Sequence, residues 1–122
     1  MTRINLVHPS ELCNKHLVAE KHEITRIPTL ARRCQWELHK KKIPSEYTLG
    51  TGHCLFFYDK LKFIADRYEF LCDEMRVRGY NVTQISRNDL LSGIDGSLHF
   101  DYKPTENAIN VNRQRIFERM PK

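Results

Sequence analysis

The chain of 122 residues is the size of one domain and is long enough for one hydrophobic core, burying about two thirds of the surface it exposes when unfolded. Its 20 Lys and Arg against 15 Asp and Glu give a net charge of +5, and the surplus sits at the ends: nine basic against five acidic side chains in residues 1–48, four against one in 107–122. That balance favours a polyanionic partner, while 40% hydrophobic and 29% charged residues, with no apolar run near the ~18 a membrane span needs, exclude disordered and membrane-spanning classes.

Ser10, a good N-cap with Glu11 in the first turn, predicts a first helix that continues past residue 30. A kink or break is expected between Ile24 and Pro28, because the proline ring removes a backbone donor and clashes with the preceding turn. On this helix Cys13, Leu17 and Ile24 share an apolar face. His16, Glu20 and Glu23 lie within about 60° of one another, with Arg26 one turn on, so a polar stripe borders the core face. Residues 40–52, with three consecutive lysines, Pro44, Gly50 and Gly52, read as an exposed basic loop.

The second helix is expected over about residues 53–78, where Phe57, Leu61, Ile64, Tyr68, Leu71 and Met75 recur in steps of four and three. Such an aromatic stripe reads as core packing. Arg76, Arg78 and Gly79 give it a basic last turn and a left-handed stop. A short helix near residues 86–91 precedes a loop with Ser92-Gly93 and Asp95-Gly96-Ser97. The third helix starts after Pro104-Thr105 and runs through Ile109, Ile116 and Met120, with Asn112, Arg115 and Arg119 aligned on another side. With no alternating strand pattern and no internal repeat, the expected fold is all-α: a single domain over residues 1–122, of three main helices with long loops.

Cys13, Cys34, Cys54 and Cys72 lie about twenty residues apart without C-x-x-C spacing, which argues against a zinc site or a disulfide framework and for reduced thiols in a cytosol-like compartment. The six histidines show no ligand spacing, and no phosphate-cradling glycine motif or nucleophile elbow appears. No metal and no cofactor is expected. No apolar signal core follows Met1. Glu20 and Glu23 invite a paired-carboxylate hydrolase, but two acids on one helix face read more simply as a solvated edge.

The N-terminus offers different chemistry. Removal of the initiator methionine leaves Thr2 with a free α-amine beside Arg3. With a reference pKa of about 7.7–8.0, roughly a tenth to a fifth of such an amine is neutral at pH 7 and can hold a sugar carbon as a Schiff base.

Met1-Thr2-Arg3-Ile4-Asn5-Leu6, then Ser10-Glu11-Leu12, His16-Leu17, Ala19-Glu20 and Glu23, closely resemble the phage pyrimidine-dimer DNA glycosylase with apurinic-site lyase activity, the phage endonuclease V family. Leu49-Gly50, Gly52-His53, Phe56-Phe57-Tyr58-Asp59-Lys60-Leu61 and Arg78-Gly79 are similar to the same family, as are Asp101-Tyr102, Pro104 and Glu106. The likeness runs in order from residue 1 to about 120. It implies a compact all-α fold whose N-terminal segment passes between two helices. It also implies a Schiff base on the Thr2 α-amine, an essential carboxylate at Glu23, and β-elimination of the strand after base release. Arg3, His16, Arg26, Arg115 and Arg119 match positions that line the site or grip DNA, and His22 stands where the family has arginine.

Two departures bear on specificity. Lys21 replaces an aromatic residue, and the sequence ends at Met120-Pro121-Lys122 where the best-known member continues into an aromatic-rich tail that favours dimers. Two alternatives therefore stand beside repair of ultraviolet dimers in duplex DNA: a glycosylase and lyase for another damaged or modified base, and a non-catalytic basic DNA-binding protein of the same fold. In each case the expected partner is duplex DNA, with the protein a monomer in the cytoplasm, the host's if the source is viral.

Overall fold

The computed structural model describes residues 3–33, 43–49 and 52–120. Among these residues the chain is helical, and its extended pairing is limited to one isolated antiparallel bridge between Lys60 and His99. Residues 3–7 enter as an extended, largely buried segment, with Ile4 and Val7 in the core. A 3-10 turn over Pro9–Glu11 leads to α1 (Asn14–Glu23) and α2 (Arg26–Arg33). There follow α3 (His53–Phe56), α4 (Leu61–Val77), α5 (Arg87–Leu90), a second 3-10 turn over Gly96–Leu98, and α6 (Glu106–Glu118).

The first expected helix is corrected at its start. Ser10 lies in the 3-10 turn, where its N–H is accepted by His8 Nδ1 at 3.1 Å, and extended Leu12 turns the chain before Cys13 caps α1. Burial of Pro9 and Leu12 outweighs the capping preference of Ser10. The break falls where expected, at Ile24 and Thr25, and Pro28 then sits in the first turn of α2, where a missing N–H costs least.

The second expected helix is two. Residues 57–60 leave the helical path because their backbone pairs with a distant segment: Phe100 N donates to Asp59 O at 3.1 Å and Lys62 N to Phe100 O at 3.2 Å. Its apolar stripe nevertheless forms the core as read, with Phe57, Leu61, Ile64, Tyr68, Leu71 and Met75 all buried. Gly79, at φ 91°, closes α4 with two bonds, Tyr80 N to Met75 O at 2.9 Å and Gly79 N to Arg76 O at 3.0 Å. Ser86 and Thr105 cap α5 and α6 through Asp89 N and Ala108 N.

Helix α4 is the central post, with α1, α2 and the first 3-10 turn packed on it. Arg78 bolts its end to the start of α1, donating to Asn14 Oδ1 at 2.9 Å and to Pro9 O at 3.2 Å. Tyr47, His53, Phe56, Phe57, Phe63 and Tyr102 form an aromatic cluster of mainly edge-to-face contacts beside the N-terminal segment. Lys40, Lys41, Lys42 and Cys34 lie outside the described residues.

Candidate active site

Every residue of the N-terminal segment from Arg3 to Val7 is pinned through its backbone or side chain. Ile4 N–H donates to His53 Nε2 at 2.8 Å, and Ile4 C=O accepts from the Tyr47 hydroxyl at 2.9 Å. His53 Nδ1–H in turn donates to Thr48 O at 2.8 Å, so the imidazole is held in one neutral tautomer. Burial pushes His53 below the ordinary imidazole range, which favours the form able to accept from Ile4. Farther on, Asn112 Oδ1 accepts from Leu6 N at 2.6 Å and from Val7 N at 3.3 Å, while its amide donates to Asn5 Oδ1 at 2.8 Å.

The same clamp reaches α1. Asn5 Nδ2 donates to Glu20 Oε1 at 2.6 Å, and Arg67 from α4 grips both Glu20 oxygens, at 2.8 and 3.0 Å, and the carbonyl of Val7. Glu20 is 2% exposed and Arg67 5%, so this carboxylate belongs to a buried ion pair. The reading of Glu20 and Glu23 as one solvated edge is thereby overturned, since burial and a bidentate guanidinium remove Glu20 from both solvent and catalysis.

Glu23, three residues on, is half-buried and accepts the Arg3 backbone N–H on Oε2 at 3.3 Å. It lines a cleft of about 310 Å³ between the N-terminal segment, α1 and α6. Arg3, Lys15, His16, Arg115 and Arg119 share the wall with it, over a floor of Asn5, Ala19, Glu20 and Ile116. Because Arg67 neutralises Glu20, Glu23 is the acid of this lining that shares the wall with the cations Arg3, Lys15, Arg115 and Arg119. Burial, opposed by Tyr47 and reinforced by Arg115 and Arg119, holds Arg3 below the usual guanidinium value, still far inside its charged range. Arg115 Nε is buried without a hydrogen-bond partner among the described residues, and its Nη1 pairs with Glu118 at 3.7 Å. A positive, partly desolvated concavity of this kind draws in an anionic chain.

Of the residues expected to form the site, Arg3, His16, Glu23, Arg115 and Arg119 converge. His16 joins α1 to the end of α6 by donating from Nε2 to Arg119 O at 3.1 Å. Arg26 and His22 are exposed and do not line the cleft. Arg26 lies in electrostatic range of the Cys54 thiol, as do Arg3 and Glu23, whereas His22 is simply a surface residue of α1. Thr2 lies outside the described residues. Lys21 donates to Thr83 O at 2.9 Å, holding the loop after α4 instead of facing the cleft.

Not read from the sequence were Lys15, whose ε-amine lines the cleft, and the clamp roles of Asn5, His53, Arg67 and Asn112. Asn112 was aligned with Arg115 and Arg119 as a polar side, yet it is wholly buried. A hint was available: at that spacing Ala108 and Asn112 fall on one side of α6, and both are buried.

No helix among the described residues is long and apolar enough to cross a membrane, and no group of three or more His, Cys, Asp or Glu among them is placed to hold a metal ion. The family model for pyrimidine dimer DNA glycosylase matches residues 1–88, which span the N-terminal segment, α1 and its Glu23, the His53 clamp and α4. A match over most of the chain, including two of the three elements that build the cleft, makes this protein a member of the pyrimidine dimer DNA glycosylase family, a DNA repair enzyme whose substrate is dimer-containing DNA.

Proposed function

We propose that the chain works as a single-domain monomer that releases the base at pyrimidine dimers in duplex DNA through the Thr2 α-amine and then cuts the strand by β-elimination. The observation that carries this reading is the bond from Arg3 N–H to Glu23 Oε2 at 3.3 Å. With the initiator methionine removed, the α-nitrogen is one residue's reach before Arg3 N, within roughly 7 Å of that carboxylate oxygen.

The steps follow from the charges. As the glycosidic C1′–N bond breaks, its electron pair leaves with the base and positive charge grows on the sugar, where Glu23 stabilises it. The neutral amine bonds to C1′ and loses a proton as the ring opens, giving a C1′ iminium. The iminium acidifies C2′–H; Glu23 removes that proton, the C2′–C3′ double bond forms, and the 3′ phosphate leaves with the C3′–O pair. Water then hydrolyses the imine and frees the amine. This chemistry requires neither a metal nor a cofactor.

Arg3, Arg115 and Arg119 would hold phosphates across the cleft, with His16 bracing α1 against α6, and Arg26 and His22 extending the contact surface along α1 and its end. Extruding a nucleotide into such a site costs a few kcal/mol of stacking, least at a damaged pair. Cys13, Cys54 and Cys72 carry free thiols, which fits a reducing, cytoplasmic setting. The test is borohydride trapping on ultraviolet-irradiated duplex with enzyme bearing a verified Thr2 terminus. A covalent adduct that vanishes when the α-amine is dimethylated is expected; irradiated strands nicked without any adduct would refute the imine.

A further inference from the structure

We infer that Asn112 is a positioning residue: from α6 it sets the register of the N-terminal segment and so ties the grip on DNA to the placement of the amine against Glu23. This rests on the amine chemistry proposed above. Asn112 is fully buried, and its three side-chain hydrogen bonds among the described residues all run to residues 5–7. On the same helix Arg115 and Arg119 follow at steps of three and seven and line the cleft. A phosphate pulling on those arginines therefore loads the helix that holds Leu6 N and Val7 N, four and five residues downstream of the nucleophile. Ile4, pinned by His53 and Tyr47, lies between the clamp and Arg3 and transmits that register stiffly to the Arg3 N–Glu23 contact.

An asparagine suits the task because one carbonyl oxygen accepts two successive backbone N–H groups while the amide still donates to Asn5. Loss of the oxygen leaves two buried donors unpaired and lets the segment slide. A displacement of about 1 Å in a nucleophile costs on the order of 10²-fold in rate.

The experiment compares the unsubstituted enzyme, Asn112→Ala and Asn112→Asp on an abasic-site duplex. Dissociation constants are measured without reductant, and single-turnover borohydride trapping rates at saturating enzyme. Asn112→Ala should lower the trapping rate on the order of 10²-fold with Kd within about threefold, and Asn112→Asp, which keeps the double acceptor but sets a buried carboxylate oxygen against Asn5 Oδ1, should recover only part of that rate. Thr105→Ala, which loses the α6 cap, controls for general destabilisation and should trap at the unsubstituted rate. If Asn112→Ala does not fold, Asn112→Ser is read by the same split of rate against Kd. Trapping at the unsubstituted rate by the substituted enzymes, or a loss confined to Kd, overturns the inference. If the amine reading itself is wrong, the unsubstituted enzyme forms no adduct or carries it on Lys15 when the trapped peptide is mapped, outcomes distinct from equal trapping on Thr2 by all variants.

Discussion

The two acids of α1 lie three residues apart and have opposite fates. Glu20 is held by Arg67 and Asn5 in the interior, so Glu20→Gln leaves a buried guanidinium without its counter-charge and should cost about 3–5 kcal/mol. Glu23 closes α1, where the helix dipole disfavours a carboxylate, and among the described residues it accepts the Arg3 backbone N–H. Glu23→Gln should therefore leave stability within about 0.5 kcal/mol while abolishing base release. Urea denaturation beside a nicking assay on irradiated duplex separates the two; equal loss of stability would contradict the division of roles. His53 gives the pH dependence. Its folded pKa lies below the unfolded value of about 6.5, so the unfolded chain binds the proton first, and the stabilisation is complete above that value and drains away as pH falls below it. Between pH 7.5 and 5.5 the unsubstituted protein should lose more stability than His53→Gln, measured by urea denaturation at each pH. Parallel losses would contradict the tautomer assigned here.

At the scale of elements, the helix stops are local and the helix interruptions are not. Gly79 sits at φ 91° with no atom within 4 Å of an added Cβ, so the cost of Gly79→Ala is purely conformational, about 1–2 kcal/mol, and should appear as a lower Tm without change in DNA affinity. The Gly79 stop, the short helix near residue 86, the helix start after Pro104-Thr105 and the break before Pro28 were legible because each depends on residues within one turn of it. The gap at residues 57–60 was not, because its cause is backbone pairing with residues 99 and 100, some forty positions away. Nor was the start of α1, where Pro9 and Leu12 seek the core and override the cap at Ser10. The candidate site shows the same division. Glu23, Arg3, Arg115 and Arg119 were reached through helical spacing and family resemblance, whereas the buried Asn5, Glu20, Arg67 and Asn112 clamp exists only once four segments meet.

For the whole molecule, the excess charge is concentrated by folding: basic residues from the first and last segments of the sequence meet in one cleft with Glu23 at its wall. Affinity for duplex DNA should fall steeply with salt, and each of Arg115→Ala and Arg119→Ala should flatten the slope of log K against log salt by roughly one unit. An unchanged slope would place the phosphate grip elsewhere on the surface. The cleft also contains a rival nucleophile, since Lys15 carries an ε-amine on its wall. Mapping the borohydride-trapped peptide by mass therefore decides which amine is the nucleophile. The adduct is expected on the α-nitrogen of Thr2, unchanged in Lys15→Ala; an adduct on Lys15 would refute catalysis by the α-amine.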